Sequence, residues 1–157
     1  MAPLLLFDIS EIDLNQIVYG TDEIEKINPH RGAMRMIDAI VYESEDGNRF
    51  IAYKDIRHEE FWVPGHIPGR PIFPGVLMIE ASAQLSSFMC LRLMPEQKFM
   101  GFAGVDNVKF RGQVVPGDRL YILTEQSEFR TRRSICKTQG LVNGKLVFEA
   151  TITGMPM

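Results

Sequence analysis

Residues 64–93 read PGHIPGRPIFPGVLMIEASAQLSSFMCLRL, and the two halves of this stretch obey different rules. In the first half Pro64, Pro68, Pro71 and Pro74 fix backbone angles, while Gly65, Gly69 and Gly75 reach conformations closed to other residues. Residues 64–75 therefore read as a shaped loop. From Val76 to Leu93 neither Gly nor Pro interrupts the chain, which leaves room for about five helical turns before Pro95 stops them. Apolar side chains from Val76 through Leu91 cover most of the helical circumference, which predicts a helix surrounded by protein. Glu80, Gln84 and Arg92 interrupt the apolar run and would be costly in lipid, so it is not read as a membrane span.

On either side of this helix the pattern is that of strands. Residues 36–44 and 48–56 are rich in Val, Ile, Tyr and Phe, and the EDGN between them carries the Asp-Gly signal of a tight turn. After the helix, strand-like segments resume near residues 98–110, 119–129, 131–139 and 145–153, the last two joined at VNGK. Two strands, one long buried helix and several closely spaced strands predict an α+β architecture in which an antiparallel sheet wraps around the helix, the hotdog fold.

The chain has 157 residues, 45% of them hydrophobic and 24% charged, and a formal charge of -3. These values suit one soluble globular domain and argue against a chain-wide attraction to nucleic acid or anionic lipid. Cys90 and Cys136 show no metal-ligand spacing, and a reduced, cytoplasmic setting is expected for them. The amino-terminal MAPLLLFDISEIDL has too short an apolar patch, no basic residue before it and acids directly after it, so no export signal is read there.

Two residues stand out against this background. His66 is held on the shaped loop, where an imidazole with an ordinary pKa near ~6.5 can serve as a general base at neutral pH. A lone loop histidine can equally be a packed residue making one structural hydrogen bond. Glu80 lies about one and a half turns into an otherwise apolar helix, where a carboxyl can hold a proton for transfer. It can also be solvated through a gap or paired with an arginine. Gln84, four residues on, shares the face of Glu80 and can orient it, or only satisfy local backbone. Gly75 opens the helix, where free amides and the positive end of the helix dipole favour an anion or a polarised carbonyl oxygen such as that of a thioester.

GHIPGRPIFPGVLMIEASAQ, residues 65–84, resembles the signature of the (3R)-hydroxyacyl-[acyl-carrier-protein] dehydratases of bacterial fatty-acid synthesis, the FabZ type of hotdog enzyme. INPHRGAMRMIDAI, residues 27–40, is similar to that family's early Pro-His-Arg segment. FAGVDNVKFRGQVVPGDRL, residues 102–120, is similar to its later Gly-x-Asp and Val-Pro-Gly-Asp segments. The resemblance covers residues 21–157, the expected dehydratase domain, and leaves residues 1–20 as an expected extension.

The resemblance implies a homodimer with two sites at its seam, each taking a histidine from one subunit and a glutamate from the other, here His66 and Glu80. Three such dimers often form a hexamer in the family. His66 would take the C2 proton of a 3-hydroxyacyl thioester, the Gly75 amide would hold the carbonyl oxygen, and Glu80 would protonate the departing hydroxyl. No metal or organic cofactor is implied. The implied partner, acyl carrier protein, is acidic, so a basic rim is expected, with Lys109, Arg111, Arg130, Arg132 and Arg133 as candidates. Each of these is as readily an ordinary solvated charge.

The sequence departs from the family after its Pro-His-Arg. Gly32, Ala33, Met34 and Arg35 replace an aromatic, a proline and apolar residues, which puts substrate length and head group in question. Gly112 and Gln113 stand where a basic-proline pair is usual. The rival readings are a hotdog thioesterase, which relies on an acid without a loop histidine of this kind, and a noncatalytic acyl-binding module, which would lack one member of the pair. Isomerising relatives usually carry Asp where Glu80 stands.

Overall fold

The computed structural model describes residues 4–97 and 99–157. In chain order the elements are helix α1 (Thr21–Ile27), a 3-10 turn (Gly32–Met34), strands β1 (Ala39–Glu43) and β2 (Arg49–Asp55), helix α2 (Gly75–Leu91), and strands β3 (Met100–Phe110), β4 (Arg119–Arg130), β5 (Arg133–Val142) and β6 (Lys145–Pro156). The strands form one antiparallel sheet in the order β1-β2-β4-β5-β6-β3, curved around α2 in the expected hotdog arrangement.

The turns form where the turn residues stand. Gly47 between β1 and β2 has φ 73°, and Asn143 and Gly144 between β5 and β6 have φ 50° and 76°. Positive φ at both central residues is the type I′ turn, whose twist matches the flanking strands. At the end of α2 the Leu93 and Met94 amides donate to the Cys90 and Leu91 carbonyls, tightening the last turn before Pro95.

Side chains alternate across the sheet and build two apolar clusters. On the concave face Ile40, Phe50, Ala52, Leu120, Ile122 and Phe148 pack with Met78, Ala81, Leu85, Phe88 and Met89 of α2. On the convex face Val41, Ile51, Leu123 and Leu141 are covered by the amino-terminal segment, with Phe7 buried among them. The Leu6 amide donates to Gln139 Oε1 at 2.9 Å and Gln139 Nε2 donates to the Leu4 carbonyl at 3.0 Å, which ties this segment down. The extension expected over residues 1–20 thus lies on the sheet from Leu4 onward, and its residues 1–3 lie outside the described residues.

The helix is not surrounded as its apolar sequence predicts. Val76 is 69% exposed, and Ile79, Glu80 and Ala83 are part-exposed. Their spacing of three and four residues places them on one stripe. The stripe opens toward the sheet edge formed by β3, which pairs with β6 on one side and has a free edge on the other. Phe102 and Phe110 of β3 are 46% and 52% exposed. Apolarity around the whole helix is therefore more than one chain can cover.

Candidate active site

The loop before α2 aims His66 by backbone geometry. The His66 amide donates to the Trp62 carbonyl at 2.8 Å, the Arg70 amide donates to the Ile67 carbonyl at 2.9 Å, and the Phe73 amide donates to the Val114 carbonyl at 2.7 Å. Ile67 has φ 58° and Gly69 φ 81°. A β-branched residue in the left-handed region is strained, and such strain persists only where the surroundings impose it. Beneath the loop the rings of Trp62 and Phe73 meet edge to face, 5.5 Å between centroids.

The imidazole has a definite orientation. Its Nδ1 lies 2.7 Å from the Ile72 carbonyl oxygen. A carbonyl oxygen only accepts, so Nδ1 carries the proton and Nε2 of the neutral ring keeps its lone pair. The ring opens on an apolar cleft lined also by Ile72, Gly75, Val76, Phe110 and Gln113. A proton acceptor in an apolar cleft is what abstraction of a weakly acidic C–H proton requires.

Gly75 stands in the same cleft at the start of α2, preceded by Pro74. Among the described residues its N–H donates to no protein acceptor, leaving it free to bind a ligand oxygen. Glycine suits the close approach, because a Cβ would come within 2.7 Å of Phe110 Cε1 and force the ring or the helix start to shift. Phe110 in turn packs on Phe148 at 5.7 Å. Phe110 escaped the sequence reading, since a lone aromatic on an alternating strand carries no mark of a cleft wall.

Glu80 faces elsewhere. Its Oε1 accepts a hydrogen bond from Gln84 Nε2 at 2.8 Å and lies 3.7 Å from His30 Nε2, each side chain being 27% exposed. Gln84 is buried and does more than orient Glu80. Its Nε2 also donates to the Met34 carbonyl at 2.7 Å, its Oε1 accepts from the Met36 amide at 2.8 Å, and its own carbonyl accepts from Asn28 Nδ2 at 2.8 Å. Residues 28–36 are thereby hung on α2 beside Glu80. The Arg31 guanidinium bonds the carbonyls of Glu25, Asn28 and His30, a structural role. Burial holds the His30 imidazole below its ordinary pKa, against the pull of the Glu80 carboxylate. His30, like Arg31, matches the family's Pro-His-Arg segment and was expected to be structural; its place beside Glu80, fifty positions along the chain, has no local signal in the sequence.

Among the described residues no hydrogen bond or ion pair joins His66 to Glu80 within one chain. His66 and Gly75 share a cleft, and Glu80 with Gln84 and His30 opens on the bare helical stripe. The expected basic residues also divide. Lys109 and Arg111 flank Phe110 at the His66 end, where Arg111 pairs with Glu149 at 2.8 Å. Arg130, Arg132 and Arg133 lie at the β4–β5 hairpin, which pairs toward Gly154 and Phe102 at the opposite end, and Arg130 and Arg133 both engage Glu128. The five do not form one rim on a single chain.

The departures settle locally. Arg35 turns to Asp38 at 3.4 Å and to Glu25 at 4.0 Å. Gly112 and Gln113 line the His66 cleft, and the amides of Arg111 and Gly112 both donate to the Val147 carbonyl, so the strand edge is held there. Among the described residues no cluster of His, Cys, Asp or Glu could hold a metal ion, and no helix is long and apolar enough to cross a membrane.

Comparison with known proteins bears on the same region. The family model described as the FabA-like domain matches residues 28–151. The 3-hydroxyacyl-[acyl-carrier-protein] dehydratase FabZ of Alkaliphilus metalliredigens is 41% identical over 145 residues, 90% of this chain and 93% of that protein. Its namesake from Aromatoleum aromaticum is 40% identical over 138 residues, 84% of this chain and 93% of that protein. Among solved structures, the dehydratase heterocomplex ApeI:P of Xenorhabdus doucetiae superposes with a TM-score of 0.71 at 13% identity, covering 85% of this chain and 90% of that one. The protein Cj0977 of Campylobacter jejuni superposes with a TM-score of 0.67 at 14% identity, covering 89% and 94%. At such identities these two likenesses speak to the fold alone.

Proposed function

Since this chain belongs to the FabA-like domain family, we propose that it dehydrates 3-hydroxyacyl thioesters carried on acyl carrier protein, as its FabZ relatives are named for doing. The product is the trans-2-enoyl thioester and water, in fatty-acid or related lipid biosynthesis. The enzyme is a hydro-lyase.

The observation that carries the mechanism is the pairing, in one cleft, of His66 Nε2 with the uncommitted Gly75 amide. The substrate carbonyl oxygen accepts the Gly75 N–H, which stabilises the charge that gathers there when C2 loses its proton. His66 Nε2 takes that proton, and the Ile72 carbonyl stabilises the imidazolium through Nδ1–H. The C3–O bond then breaks as Glu80, directly or through a water, gives its proton to the departing hydroxyl. The new double bond forms between C2 and C3, and water leaves.

Glu80 reaches the reaction from a second copy of the chain. The bare stripe of Val76, Ile79 and Ala83 and the free edge of β3, with Phe102 and Phe110 exposed, support a dimer that pairs β3 with β3 and covers both surfaces. That antiparallel pairing sets one chain's Phe110 end beside the other's Met100 end. Lys109 and Arg111, at the mouth, are the cations suited to an acidic carrier protein.

The test is to incubate the purified protein with 3-hydroxyacyl thioesters of several chain lengths, on carrier protein and on coenzyme A, and follow the mass of the thioester. Loss of water is expected, cut by about 100-fold or more in His66→Ala and in Glu80→Gln with the fold retained. Release of free thiol would make the protein a thioesterase instead, and full turnover by both variants would refute the assigned roles.

A further inference from the structure

The geometry points to His30 as a positioning residue that, with Gln84, holds Glu80 so that its transferable proton sits on Oε2. This rests on the proposed role of Glu80 as the acid in dehydration.

Glu80 Oε1 takes the Gln84 Nε2–H at 2.8 Å and lies 3.7 Å from His30 Nε2, whereas Oε2 has no protein donor among the described residues. Catalytic contacts are often long in the unliganded site and tighten around substrate. His30 Nδ1 is buried and has no partner among the described residues. A neutral imidazole has one N–H and one lone pair. With the proton on Nε2, the ring donates to Oε1 and only a lone pair is left bare at Nδ1. With the proton on Nδ1, an N–H is orphaned in the interior, which is the rarer and costlier fault, and the Nε2 lone pair faces a carboxyl oxygen. That second arrangement would also require the Glu80 proton on Oε1, turned toward its own chain.

The charged groups around His30 agree with a neutral ring. Arg31, next to it in the chain, opposes protonation, as does burial, and Glu80 on α2 alone favours it. The Gln84 N–H then bonds Oε1 and the His30 N–H faces it at 3.7 Å, so a protonated carboxyl puts its hydrogen on Oε2. The hydrogen leaves for the substrate hydroxyl while Gln84 stays bonded to, and His30 faces, the oxygen that becomes the anion's other half. No motion of the side chain is needed between turnovers.

Two measurements test this on the full-length protein. Long-range nitrogen–proton spectra of the imidazoles, with His30→Gln to assign the signal, need no substrate and stand apart from the activity. We expect a bare Nδ1 and a protonated Nε2 at pH 7, with a protonation midpoint below ~6.5 that falls further in Glu80→Gln. A protonated Nδ1, or a charged ring at pH 7, would overturn the assignment. In the kinetic arm, His30→Gln, which keeps an N–H donor, should stay within about threefold of the parent in kcat. His30→Leu should lose about tenfold in kcat with KM little changed. Equal kcat in the two variants, at equal thermal midpoints, would overturn it. If the parent protein does not dehydrate its substrate at all, the spectra still decide the tautomer, so the failure of the two readings can be told apart.

Discussion

At Gly75 the backbone approaches Phe110 so closely that a single methyl group decides the shape of the cleft. A Cβ there would lie 2.7 Å from the ring, and either the ring or the first amide of α2 would have to move to make room. Gly75→Ala should therefore cost about 1–3 kcal/mol by overpacking and lower kcat more than it raises KM, because the carbonyl contact strengthens as charge develops. Adding Phe110→Ala should restore most of the stability without restoring kcat fully. Urea midpoints and steady-state kinetics of the single and double variants check this, and a Gly75→Ala protein with unchanged stability would show that the ring yields freely. At this scale the sequence was informative where a residue is unusual for its setting. A histidine among prolines and a carboxyl in an apolar helix are conspicuous. Phe110 is an ordinary residue that no local pattern marks, and His30, though part of the Pro-His-Arg segment, owes its place beside Glu80 to a partner fifty positions along the chain.

Among the elements, α2 organises the site through Gln84. Its side chain accepts from the Met36 amide and donates to the Met34 carbonyl and to Glu80, so one residue joins the segment of residues 28–36 to the catalytic helix. Gln84→Leu leaves the buried Met36 N–H without its partner, while the Met34 carbonyl lies on an exposed residue, and should destabilise the fold by about 1–3 kcal/mol, with a matching fall in the urea midpoint. A loss below about 0.5 kcal/mol would mean that water or backbone movement replaces the amide. The strands were legible because their turns carry Asp-Gly and Asn-Gly and their side chains alternate. The long helix was legible because proline bounds it on both sides. Helix α1 was not read, for Thr21–Ile27 is too short to display a period, and it is held by burial of Ile24 rather than by its own pattern. The helix was also expected to be enclosed, and the bare stripe of Val76, Ile79 and Ala83 shows that an all-round apolar pattern does not say whose atoms cover it.

For the whole molecule, the separation of His66 from Glu80 is the fact that must be explained. One chain places His66 and the Gly75 amide in one cleft and Glu80 on an open helical stripe next to the edge of β3 that pairs with no strand among the described residues. The proposed seam between two copies would bring both halves together and cover the apolar surface. Phe102→Asp puts a charge on that edge, far from His66, and should convert the dimer to a monomer in sizing with light scattering. Turnover should fall with it, although His66 and Glu80 remain in place, and a fully active monomer would mean that the site needs one chain only. The most direct measurement is complementation. His66→Ala and Glu80→Gln, each expected to be nearly inactive alone, are unfolded together, refolded and assayed after the mixed dimers have been verified by mass spectrometry. A mixed dimer with sites shared across the seam has one site with both residues intact and one with neither, so an equimolar mixture should recover about a quarter of the parent activity. Verified mixed dimers that recover nothing would contradict a site built from His66 of one subunit and Glu80 of the other.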